Sequence, residues 1–158
     1  MTDLGPSNDD PAIRQHALGD REVIDLATKL RSLVWSWWMN DLARLLVVFG
    51  WRDPIFESPD WVRFDAGLGP GSCDVVGRSG AAERIEVAVT TLFTDDAIGH
   101  AGIEDAFALM SSTLTAALGE PTTRITGTSP EIRWVGAETT LVLMNLVLMV
   151  RLNVVTNE

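Results

Sequence analysis

Two pairs of neighbouring carboxylates, Asp95-Asp96 and Glu104-Asp105, have types and spacing that could do chemistry. On one helix they would stand about two turns apart, where they could serve as acid and base or hold a divalent cation. A structural role competes with that one. Asp95 and Asp96 fall where a helix begins, so either can cap it, and their charge suits the positive end of the helix dipole. Glu104 and Asp105 then belong to the wet face of the same helix. No second acid–base group converges on these four in sequence, which favours the structural role.

His16, His100 and Cys73 lie far apart and form no zinc pattern. No Gly-x-Ser-x-Gly elbow and no recognisable Cys/His pair supplies a nucleophile with its base. Gly67, Gly69 and Gly71 have the look of a phosphate cradle, but they lead into a strand and no Lys follows, so a hairpin turn accounts for them better. The sequence therefore predicts a protein that is not an enzyme, with no catalytic residue, no metal ligand and no cofactor. Trp35, Trp37 and Trp38 are either an aromatic platform for a partner or part of the core. Their spacing turns Trp35 and Trp38 inward and leaves Trp37 as the exposed candidate for contact.

Charge narrows the partners. Twelve basic residues against 22 acidic ones give a net charge of −10, which repels nucleic acid and anionic membrane at long range. A basic partner is the electrostatic complement, with plain solubility as the alternative use of the acids. The sole cysteine, Cys73, excludes an intrachain disulfide, and Thr2 to Asp20 holds no apolar run of the signal-peptide kind. A cytoplasmic protein is expected. The longest apolar run, Leu141 to Val150, is interrupted by Asn145 and falls short of the roughly 18–20 residues of a membrane helix.

The elements that position these residues follow from periodicity. Residues 1–19 read as a mobile lead-in and 20–156 as a single α+β domain. Val23, Leu26, Ala27, Leu30, Leu33 and Val34 form one helical stripe. Leu42, Leu45, Leu46 and Phe49 form a second, which Gly50 ends with Trp51 folding back on Leu46. Residues 52–60 read as a loop. Strands are expected over 61–66, 72–77 and 84–92, where Ile85, Val87 and Val89 alternate with Glu86, Ala88 and Thr90. A long helix follows, with Ile103, Phe107, Met110 and Leu114 on one side, its first turns weakened by Gly99 and Gly102. After the loop 122–130 come strands at 131–135 and 139–155, the latter broken near Asn145-Leu146. The order α-α-β-β-β-α-β-β(-β) predicts an antiparallel sheet of five to six strands with helices packed on one face. No internal repeat is visible.

Leu30, Leu33, Trp35 and Trp37, the run from Asp41 to Phe49-Gly50-Trp51, then Leu118-Gly119-Glu120-Pro121-Thr122, Pro130-Glu131-Ile132-Arg133-Trp134 and Thr139-Thr140-Leu141 resemble a family of small uncharacterised actinobacterial proteins. Such proteins look like immunity partners encoded beside secreted polymorphic toxins, often near type VII secretion genes. The resemblance implies a cytoplasmic inhibitor that binds a cognate protein toxin with a basic surface and acts as a monomer or homodimer. The candidate contacts are then Asp53, Glu57, Asp60 and Asp65 on one loop region, Asp95, Asp96, Glu104 and Asp105 at the helix start, and Trp37. The element order also resembles small acidic chaperones that hold effectors before export.

Overall fold

In a computed structural model, which describes residues 15–157, helix α1 spans Asp20–Arg31. The Gly19 amide donates to Glu22 Oε1 at 2.9 Å, closing the first turn, and Lys29 and Arg31 suit the negative end of the dipole. A short 3-10 turn, Met39–Asp41, leads into α2, Leu42–Phe49. Gly50, at φ 71°, ends α2 and donates to Leu46 O at 2.8 Å. Trp51 follows directly on this cap. It stacks on Phe49 with ring centroids 4.4 Å apart and meets Phe64 at 5.8 Å, carrying the α2 end onto the sheet.

The described residues form eight strands: β1 Phe56–Ser58, β2 Trp61–Asp65, β3 Pro70–Arg78, β4 Ala81–Ala88, then β5 Thr123–Ile125, β6 Glu131–Val135, β7 Thr139–Asn145 and β8 Val150–Thr156, with helix α3, Ala97–Leu118, between the two sets. They make one antiparallel sheet in the order β1-β2-β3-β4-β8-β7-β6-β5. The α+β class and the antiparallel pairing agree with expectation, and the last strands do form a hairpin. The strand number does not: β1 and β5 fall inside segments read as loops. Each has three residues and pairs on one side only, too little pattern for alternation to reveal.

One face of the sheet is dry. Phe64, Cys73, Val87, Leu152, Leu143 and Ile132 form one cross-strand row, and Val62, Val75, Ile85, Val154, Leu141 and Trp134 form the next, all buried. Helices α1 and α3 pack on each other and against β7 and β8 over this face. Their buried Ala27, Leu30, Ile103 and Leu114 meet it, each such side chain removing roughly 25 cal/mol of unfavourable hydration per Å² of apolar area covered. Among the described residues no helix is long and apolar enough to cross a membrane.

The sheet also holds a repeat that the sequence hides. Strands β1 to β4 and β5 to β8 are matching four-strand meanders, of 3, 5, 9 and 8 residues against 3, 5, 7 and 7, each preceded by a helix. β4 and β8 meet at the centre, where Glu86 pairs Asn153 and is flanked by Ile85 with Val154 and Val87 with Leu152. A two-fold axis through the Glu86–Asn153 pair relates the halves. It exchanges Val62-Arg63-Phe64 with Ile132-Arg133-Trp134 and Arg84 with Arg151, and the registers follow it except at two bulges of the first half, after Phe64 and after Val76, where the second half runs straight.

Of the expected lead-in, residues 1–14 lie outside the described residues. The end of it is tied to the sheet: Ala17 bridges Thr90, Leu18 N donates to Val89 O at 2.9 Å, and Gln15 Oε1 accepts from Thr94 N at 3.0 Å.

Candidate functional site

The expected loop group divides between two ends of one strand. Asp60 precedes β2 and its Oδ1 accepts from Gly80 N at 3.0 Å, pinning the β3–β4 turn. Asp65 closes β2, and its Oδ1 accepts from Gly67 N and Gly69 N at 2.8 and 3.1 Å. Both carboxylates are therefore employed in holding turns. Asp53 and Glu57 are exposed and form no ion pair among the described residues.

The helix-start group is brought together. Asp96 caps α3, accepting from Gly99 N and from Thr94 Oγ1, both at 2.8 Å. These bonds, the Gly99 amide first, hold the Asp96 carboxyl below its ordinary range. Asp95 Oδ1 lies 2.8 Å from His100 Nε2. His100 and Glu104, four residues apart on α3, line a cleft of about 400 Å³ with Phe107, Thr128, Pro130 and Val147. The four-residue spacing of His100 and Glu104 is the sequence signal for this pairing on one helix face. Asp105 is exposed on the same helix. Among the described residues no group of three or more His, Cys, Asp and Glu is placed to hold a metal ion.

The tryptophan stretch departs from expectation. Trp35 is buried, but Trp38 is 56% exposed and Trp37 is half-buried. The three-residue spacing would matter only on a helix, and α1 ends at Arg31. Beyond it the chain runs alongside the β3–β4 turn, with Trp38 bridging Ala81 and Trp37 O accepting from Ala82 N at 2.8 Å. Trp37 takes the left-handed backbone, φ 62°, which a bulky side chain adopts only at a cost. Its ring lies 5.1 Å from that of Trp35. Together with Trp134, Arg31 and Glu138 they line a second cleft, of about 370 Å³. The Trp35 and Trp134 indoles donate to Asp41 O and Gly119 O at 2.8 and 3.0 Å.

The alternation around Glu86 implied an open face of the sheet, but not which residues share it. One cross-strand row runs Phe56, Arg63, Asp74, Glu86, Asn153, Val142, Arg133 and Thr123 through all eight strands. Asp74 holds Arg63 at 2.8 Å, Glu86 holds Arg84 and Arg151 at 2.6 and 2.8 Å, and Glu131 holds Arg133 at 2.8 Å. The Arg63 guanidinium also covers the Trp61 ring at 4.9 Å, and the hydrogen bond it donates to Asp74 raises its pKa further. Asn153 is buried, and its Oδ1 and Arg151 Nε find no hydrogen-bond partner. Arg63, Arg84, Arg133 and Arg151 are thus spent on pairing within this face.

The profile of a family of unknown function, DUF6301, matches residues 21–156. The chain belongs to that family. No curated protein and no solved structure matches it. The range matched by the DUF6301 profile runs from the first turn of α1 to the end of β8, so both clefts and the open face lie within what defines the family.

Proposed function

We propose that the chain is a binding protein that neutralises a cognate secreted bacterial toxin by direct contact, in the cytoplasm of the cell that makes both. The observation that carries the reading is the distribution of charge. Arg63, Arg84, Arg133 and Arg151 are consumed by Asp74, Glu86 and Glu131 on the sheet, while Asp53, Glu57, Asp95, Asp96, Glu104 and Asp105 stand exposed. The net charge of −10 is therefore presented outward, where it attracts a basic protein and speeds encounter. The resemblance carried by Leu30 to Trp37, Asp41 to Trp51, Leu118 to Thr122, Pro130 to Trp134 and Thr139 to Leu141, to small proteins that look like immunity partners of secreted toxins, supports the same reading. Co-expression with the protein encoded by the adjacent gene, scored for rescue of growth, tests it. A neighbour that neither binds in a pull-down nor is detoxified removes the reading.

A second reading, a secretion chaperone, draws on exposed apolar side chains, Val47 at 82%, Ile98 at 77% and Leu109 at 60%, which suit holding an unfolded segment. Deletion separates the two: self-killing favours immunity, and loss of effector secretion with no self-killing favours the chaperone. The mass in size-exclusion chromatography distinguishes monomer from homodimer in either case.

A further inference from the structure

We infer that the cleft between the first turns of α3 and the β5–β6 and β7–β8 loops binds a small molecule through a neutral carboxamide group. This goes beyond the partner-binding reading above and does not depend on it. The cleft measures about 400 Å³, in the range of small-ligand sites, and Phe107, Pro130 and Val147 give it apolar walls. Its polar anchor is Asn145, which is only 6% exposed. Asn145 Oδ1 accepts from Val147 N at 2.8 Å. Because a backbone amide can only donate, the oxygen must lie on that side, and the side-chain amide cannot be turned round. The Nδ2 donors are then left without a partner among the described residues, yet the atom is not sealed from solvent. A nearly buried residue whose free donors still reach an opening presents them to the cleft that it lines. An unanswered donor at so dry a position favours a ligand that brings an acceptor. Glu104 sets the opposite requirement. It lines the same cleft and forms no ion pair among the described residues. No Lys or Arg lines the cleft, and His100 turns Nε2 to Asp95 Oδ1 at 2.8 Å instead of to Glu104. A bare ammonium or guanidinium would answer Glu104 and leave Asn145 Nδ2 empty. A carboxylate would answer Asn145 and be repelled by Glu104. A carboxamide carries an acceptor beside a donor and no charge, so its C=O can meet Nδ2 while its N–H meets Glu104.

The test titrates the ¹⁵N-labelled full chain with benzamide, benzamidine and benzoate, which share one ring and differ in whether the head group donates and accepts, only donates or only accepts. The readout is the side-chain amide signal of Asn145, identified by its loss in Asn145→Asp, a change that keeps the acceptor for Val147 N. The expected result is a saturable shift with benzamide and several-fold weaker binding of the two charged probes. Glu104→Gln, whose exposed position leaves the fold intact, removes the repelling charge and moves the preference several-fold toward benzoate. N-acetyl-glutamine methylamide distinguishes the source of the amide: tighter binding than benzamide would assign it to a protein side chain and overturn the small-molecule assignment. Equal binding of the three ring probes, a preference for either charged probe in the unaltered chain, an unchanged order in Glu104→Gln, or no shift at all overturns the inference. No toxin enters these measurements. An adjacent-gene protein that fails to bind would therefore remove the toxin reading and leave this result standing.

Discussion

Val147 is a β-branched residue at φ 76° in the β7–β8 turn, the conformation that such side chains tolerate least. Its N–H donates to Asn145 Oδ1 at 2.8 Å, and that bond survives any side-chain change at 147. Val147→Asn relieves strain of about 1 kcal/mol, because Asn accepts the left-handed region readily, and thermal unfolding will show a higher Tm. A lower Tm would mean that Val147's contacts in the His100 cleft outweigh the strain. Asp96 gives a pH-dependent counterpart. Its carboxyl is held below the ordinary 3.8 by the Gly99 amide and the Thr94 hydroxyl, so its folded pKa is depressed. The stability it contributes is then fully present above about 3.8 and is lost as pH falls through the depressed value. Asp96→Asn keeps the cap geometry and removes the charge. Wild type will exceed it in urea stability at pH 7, with the gap narrowing below pH 4. A gap independent of pH would assign the cap to geometry alone.

At the scale of elements, α3 shows why a glycine can outrank helix propensity. Gly99 and Gly102 read in the sequence as weak points costing roughly 1 kcal/mol each against Ala. A Cβ on Gly99 would sit 1.8 Å from Thr94 O, a backbone atom of the segment that Asp96 folds over the helix start. A Cβ on Gly102 would meet only the edge of the Phe93 ring at 2.9 Å, which can turn aside. Gly99→Ala therefore destabilises by about 2–4 kcal/mol and Gly102→Ala by less than about 1 in chemical denaturation, with no gain from propensity at the first site. Comparable losses at both would refute the distinction. The main elements were legible where a local period was long enough: five alternating residues from Ile85 revealed β4, and the stripe from Val23 revealed α1. The edge strands were not, since three residues flanked by Pro54 and Pro59, or by Gly119 and Pro121, carry no period. Trp38 failed for a different reason, its spacing having been read on a helix that stops at Arg31.

The two-fold relation between the halves governs the molecule as a whole, and it was invisible because it lives in pairing and not in residue type. Val62-Arg63-Phe64 and Ile132-Arg133-Trp134 are its one readable trace, two apolar residues around an arginine, 70 positions apart. The open-face row was hidden likewise, since Arg63, Asp74, Glu86 and Asn153 become neighbours only once four strands are in register. The symmetry also says what each site costs. Asp74 occupies the position matched by Val142 in the other half, so the fold accepts an apolar residue there. In its own half, however, Asp74 is buried and holds Arg63 at 2.8 Å and Arg151 at 3.7 Å. Asp74→Val alone leaves Arg63 without its anion and will lower stability by about 2 kcal/mol, less than a fully buried pair would lose because the Arg63 side chain is 37% exposed. Removing both charges, Asp74→Val with Arg63→Leu, replaces a desolvated pair by apolar contacts of the kind the other half already uses, and recovers most of that loss in urea unfolding. If the double variant is instead as unstable as the sum of the singles, the pair is a net stabiliser and the two halves have diverged beyond exchange.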